Sequence, residues 1–183
     1  DIPGLIEGAA RGQGLGTQFL RHLSRTRVIL HLVEVLPLDE SSPLDNIELV
    51  ERELAQYSPS MLEREIWIVL TKIDELNQSE IDELMKTFKT RFDTRKVFAI
   101  SAMADVGLKD LKQEVMSELA AMDALMSENA DFKEKIKDLE NRIGADVLAR
   151  SHKEREAIHE LKQKHRLEED EADSSIEIVY VKD

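Results

Sequence analysis

An α/β fold, with a parallel sheet, flanking helices and a charged helical extension, is predicted by three features of this sequence. Short, nearly continuous apolar runs alternate with amphipathic helical stretches up to about residue 120. The runs are rich in Val, Ile and Leu, as strands of a parallel sheet buried on both faces are. Beyond residue 120 the strand-like runs give way to long charged stretches with helical spacing.

Residues 1–16 hold Gly4, Gly8, Gly12, Gly14 and Gly16 and read as a mobile loop. Residues 17–25 place Phe19, Leu20 and Leu23 on one face of a short helix. Val28 to Leu36 (VILHLVEVL) reads as a strand buried on both faces. From Ser41 to Tyr57, Leu44, Ile47, Val50, Leu54 and Tyr57 fall at helical spacing, with Ser42 as cap and Pro43 in the first turn. Ile66 to Leu70 (IWIVL) is the second strand, Gln78 to Phe92 a helix, Val97 to Ile100 the third strand and Leu108 to Leu119 another helix. Strands alternating with helices give a parallel sheet, and ligands of such sheets bind at the carboxyl ends of the strands. The loops of interest therefore begin at Asp1, after Leu70 and after Ile100.

Met122, Leu125, Asn129, Phe132, Ile136, Leu139 and Ile143 step alternately by three and four, a heptad seam with one polar member. Gly144 interrupts it, and a second charged stretch, 146–168, follows. The spacing fits a hairpin turning near Gly144, a coiled coil, or a single solvated helix. Glu168 to Asp173 (EEDEAD) reads as a disordered acidic run, and Ile176 to Val181 (IEIVYV) as a strand too short to stand alone.

The 183 residues carry 42% hydrophobic residues, enough for a real core, and 34% charged residues, above the globular average. No cysteine is present, which excludes disulfides, thiolate metal sites and a cysteine nucleophile, and fits a reducing, cytoplasmic setting. No apolar run reaches the length of a membrane span. A net charge of −13 makes the chain as a whole a poor partner for nucleic acid. The sequence opens abruptly on Asp1 without an initiator Met, so an upstream part is expected.

Three motifs stand in a telling order, the second and third directly after strand-like runs. Asp1-Ile2-Pro3-Gly4 has the DxxG form of P-loop GTPases, in which the Asp reaches Mg²⁺ through water and the Gly amide meets the γ-phosphate. Thr71-Lys72-Ile73-Asp74 follows IWIVL and resembles the guanine-specificity motif NKxD. A carboxylate at Asp74 accepts both hydrogens that guanine offers from N1 and its 2-amino group, which adenine lacks. Lys72 would lie along the ring, and Thr71 replaces the commoner Asn with a shorter group that makes fewer hydrogen bonds. Ser101-Ala102-Met103 follows VFAI and resembles the loop whose backbone amide faces guanine O6. Each is weak alone; the ordered set is strong.

The run DIPGLIEGAARGQGLGTQFLRHLSRTRVILHLVE closely resembles the switch region of Obg GTPases, bacterial and organellar proteins associated with the large ribosomal subunit. The resemblance extends to about residue 120. It implies that residues 1–120 are the C-terminal part of a GTPase domain; beyond them it extends only to a general habit, an acidic tail with a short apolar end, here 168–183, while the helical hairpin or coiled-coil extension over 121–167 is read from the heptad spacing alone. The resemblance further implies GTP/GDP and Mg²⁺ as ligands, slow intrinsic hydrolysis and a role in ribosome assembly. Asp1 to Gly4, Thr71 to Asp74 and Ser101 to Met103 are the expected nucleotide contacts. Leu5 stands where many GTPases place a water-orienting Gln, a part leucine cannot play. No GxxxxGK(S/T) phosphate loop occurs in these 183 residues, so this chain alone is expected to bind GTP very weakly and not to hydrolyse it. A non-enzymatic interaction protein acting through the heptad helices and acidic tail is the alternative. Asp74 argues against an ATP-using enzyme. No metal-binding spacing joins His152, His159 and His165, and His22, His31, Tyr57 and Trp67 read as structural.

Overall fold

Burial on both faces of one strand organises the chain. The computed structural model describes residues 25–174. Its strands are β1 (Val28–Glu34), β2 (Glu65–Thr71) and β3 (Val97–Ala99), and its helices are α1 (Pro43–Tyr57), α2 (Gln78–Arg91), α3 (Leu108–Glu128) and α4 (Ala130–Ser174). Among the described residues the strands form one parallel sheet in the order β1-β2-β3, with Val28 opposite Glu65 and Ile68 opposite Val97. The Gly-rich loop and short helix expected before residue 25, and the strand expected at 176–181, lie outside the described residues.

Successive side chains of β2 point to opposite faces. Ile68 and Leu70 enter one core with Val33, Ile47, Ile73, Phe88 and Val97, covered by α1 and α2. Trp67 and Val69 enter the other with Ile100 and Leu111, under α3. Both β-α-β crossovers advance in the same direction across the sheet, so right-handed connections place α1 and α2 on one face. Lys96 fixes α3 to the sheet: its ammonium lies 4.6 Å from the centre of the Trp67 ring and donates to Glu114 and Glu118 at 2.7 Å each.

Local chemistry starts the helices as expected. Ser42 caps α1 by accepting from the Asp45 amide, with Pro43 in the first turn. Asn77 and Glu80 form a reciprocal capping box on α2.

Three expectations are corrected. β1 is not buried on both faces: Leu30 and Leu32 are 37% and 61% exposed, because β1 is an edge strand among the described residues. The turn after α3 lies at Asn129, not near Gly144. Asn129 accepts from the Phe132 amide and so caps α4, and helix runs straight through Gly144. A glycine inside a helix costs about 1 kcal/mol relative to Ala, and buried Ile143 and Val147 on either side outweigh that. Finally, the acidic run 168–173 is helical, the outer end of α4.

The heptad positions of α4 pack on the α/β body. Leu139, Ile143 and Val147 form a third core with Leu54 of α1 and Met61 of a 3-10 turn, Pro59–Glu63. Asp146 locks this contact, accepting from Ser58 Oγ at 2.7 Å and from the Ser60 amide at 3.3 Å. Burial alone would raise its pKa, but these hydrogen bonds, helped by Arg142, outweigh burial and hold the carboxyl below its ordinary value. Its contribution to stability is therefore complete above an unfolded pKa of about 3.9 and fades as pH falls through the lowered folded value. Asp146→Ala is expected to destabilise by about 1–3 kcal/mol, since Ser58 is fully buried and would lose its acceptor. Urea titrations should show this loss at pH 7 and a shrinking difference from the parent as pH is lowered through the acid range.

Candidate guanine-recognition site

The carboxyl ends of β2 and β3 converge on one loop cluster. The Ile100 amide donates to the Leu70 carbonyl at 2.8 Å, and the Ile73 amide donates back to the Ile100 carbonyl at 3.3 Å. These bonds bring Thr71–Asp74 against Ser101–Met103, although the two segments are far apart in sequence. Ile73 is 6% exposed, so its side chain anchors the loop in the core and leaves Lys72 and Asp74 at the surface.

Ser101 is the strut of the cluster. It is fully buried, and its hydroxyl donates to Asp74 Oδ1 while accepting from the Ala104 amide at 3.0 Å. Its backbone exchanges two 3.0 Å hydrogen bonds with Val106, closing a tight turn over Ala102–Asp105. A carboxylate has about four lone-pair sites, so Asp74 retains capacity for two further donors after accepting from Ser101. Ala102 is exposed and Met103 is 93% exposed, leaving the turn's outer side open. Gly107 ends the turn at φ +72°, where a Cβ would lie 2.4 Å from the Ala99 carbonyl oxygen.

Lys72 sits in the left-handed region at φ 60°, ψ 35°, which turns the chain sharply out of β2. Its ammonium pairs with Glu34 at the end of β1, and that hydrogen bond holds the lysine above its ordinary pKa. The strand register explains the meeting, since Glu34 lies opposite Thr71. Thr71 donates its hydroxyl to the Val33 carbonyl at 3.2 Å, tying the same two strand ends together. Sequence reasoning missed Glu34 and the strut role of Ser101. The only available signal for Glu34 was an acid at the end of an otherwise apolar run.

Asp1, Ile2, Pro3 and Gly4 lie outside the described residues. Among the described residues no group of three or more His, Asp or Glu side chains stands together as a metal site.

Residues 1–72 match the family described as 50S ribosome-binding GTPase. The match runs from the DxxG motif through Lys72 and supports a GTPase family; the Ser101 loop lies beyond it. A mixed α/β body with a three-stranded parallel sheet and flanking helices is consistent with part of a GTPase domain. No described helix is long and apolar enough to cross a membrane.

Proposed function

We propose that this chain carries the base-recognition part of a guanine-nucleotide switch protein of the Obg type, a slow GTP hydrolase acting in the cytoplasm on the assembling large ribosomal subunit. The observation that carries this reading is the Asp74–Ser101 hydrogen bond, made between loops that follow two adjacent parallel strands. Asp74 accepts the N1 and 2-amino hydrogens of guanine, Ser101 holds that carboxylate in place, and Glu34 orients Lys72. The Ala102 amide faces O6 from the exposed turn. Asp1 reaches Mg²⁺ through water and Gly4 approaches the γ-phosphate. The ion, when bound, neutralises charge developing on the phosphates. Loss of the γ-phosphate frees the Gly-rich loop, which is how a switch of this class signals.

The test is base competition on the purified chain, followed by NMR of the backbone amides. GDP at millimolar concentration is expected to shift the amides of 71–74 and 101–106, while ADP at the same concentration leaves them unmoved. GTP turnover should stay at the uncatalysed rate, since these residues include no phosphate loop. Equal shifts with ADP would remove the reading, and robust turnover would overturn the expectation that this chain alone is inactive.

A further inference from the structure

The two most exposed large apolar side chains among the described residues both stand at the carboxyl pole of the sheet. Leu38 is 98% exposed and Met103 is 93% exposed, and the next, Met116 and Leu161, are 66% exposed. Both are held by structured turns. Leu38 sits at the tip of a turn in which the Glu40 amide donates to the Pro37 carbonyl at 3.0 Å, and Asp39 accepts from the Ser41 amide and hydroxyl. Met103 sits at the tip of the turn closed by the Ser101–Val106 bridge, where the Ala104 amide donates to Ser101 Oγ. Turn tips favour Gly, Pro, Asn, Asp and Ser, and an apolar side chain held out in water adds nothing to the core. Leu36 and Val106, each 49% exposed, adjoin the two turns and extend the apolar surface. The turns follow β1 and β3, which flank β2, so about 10 Å of sheet separates their roots.

The same loops are acidic. Segments 35–41, 72–77 and 101–106 carry Asp39, Glu40, Asp74, Glu75 and Asp105, all exposed, against one base, Lys72, which is paired with Glu34. We propose that this pole is a docking surface for a cationic amphipathic segment of a partner protein, in which Lys or Arg side chains alternate with apolar ones. The apolar side chains of that segment cover Leu38 and Met103, and its cations meet the surrounding carboxylates. Charge complementarity selects this occupant. Nucleic acid and anionic membrane surfaces present phosphate, which these carboxylates repel. A second copy docking through the same face sets acid against acid. The surface stands on exposure and charge and goes beyond the guanine reading, but it shares the Ser101 turn with that proposed site. A segment seated here therefore touches the loops that hold Asp74.

The experiment follows amide shifts of the full chain by NMR during titration with three hexapeptides, of alternating Leu and Lys, alternating Leu and Glu, and alternating Ser and Lys. The Leu/Lys peptide is expected to shift amides within 36–40, 72–75 and 102–106, and the Leu/Glu peptide none of them. The Ser/Lys peptide, which has no apolar anchor, should bind about tenfold more weakly than the Leu/Lys peptide. Binding should weaken as salt rises from about 50 to about 300 mM. Leu38→Ser/Met103→Ser should weaken the Leu/Lys peptide about tenfold. The control Met116→Ser/Leu148→Ser, at exposed positions on α3 and α4, should change it by less than about twofold. Asp39→Asn/Glu40→Gln should weaken binding and flatten its salt dependence. Circular dichroism checks the fold of each variant, and all the substituted side chains are exposed. No shifts at the pole, shifts concentrated instead on the acidic run 168–173, equal losses in the two Ser pairs, or equal binding of the Leu/Glu peptide would overturn the proposal. GDP separates the surface from the guanine reading. Peptide shifts without a GDP response keep the surface and remove the reading. A GDP response without peptide shifts removes the surface and keeps the reading.

Discussion

Asp74→Asn is expected to exchange the base preference of the site from guanine to xanthine. In the proposed site the carboxylate accepts two hydrogens from guanine, and hydrogen bonds to a charged group contribute about 1.5–3 kcal/mol each. An amide keeps one acceptor and turns the other position into a donor, which opposes the guanine 2-amino group and suits the 2-oxo group of xanthine. Guanine binding should fall by about 2–4 kcal/mol, roughly 30- to 1000-fold, while xanthine binding rises. Because this chain lacks a phosphate loop, the measurement is a ligand-observed NMR competition between guanosine and xanthosine monophosphates at millimolar concentration. Fold loss is not a confounder, since Asp74 is exposed and an amide oxygen still accepts from Ser101. An unchanged ratio of the two affinities would mean that the base pocket is elsewhere.

Gly107→Ala should be the most damaging single-methyl change near the site. The backbone there is left-handed at φ +72°, which costs an L-residue about 1–2 kcal/mol. The added Cβ would also lie 2.4 Å from the Ala99 carbonyl oxygen and 3.1 Å from Ile100 Cγ2, both belonging to the end of the sheet rather than to a flexible tip. Backbone must move, and the Ser101–Val106 bridge that holds the strut moves with it. A loss above about 2 kcal/mol, or a fall in Tm of about 5–10 °C, is expected for a domain of this size. Gly144→Ala is the internal control. A Cβ there meets nothing within 4 Å, so a helical Ala should leave stability unchanged or raise it by about 0.5–1 kcal/mol. Thermal unfolding of the two variants side by side decides whether the effect at Gly107 is conformational.

What could be read from the sequence was whatever has a short-range physical signature. IWIVL and VFAI announce buried strands by continuous apolar character, so the loops after them could be placed at the carboxyl edge of a sheet. Ser42-Pro43 announces a helix start because cap and first-turn preferences are local. The turn at Asn129 was hidden because three-four spacing runs unbroken from α3 into α4, and Asn serves equally as a polar seam residue or a cap. The exposed side of β1 was hidden because an apolar run does not say how many strands flank it. The Glu34–Lys72 and Ser58–Asp146 pairs join residues tens of positions apart and leave no periodic trace. The site was legible as to which loops meet, but not as to how Ser101 and Glu34 hold Asp74 and Lys72.

The position of the α4 anchor has one more consequence. Helix α4 is fastened to the Pro59–Glu63 turn, just before β2 begins, whereas Lys72 and Asp74 follow the end of the same strand. Seven residues of parallel strand separate the two ends by about 20 Å. The helix anchor and the proposed base-recognition loops therefore stand at opposite poles of the sheet. Fastening of the helix and access to the proposed pocket therefore do not compete for the same surface.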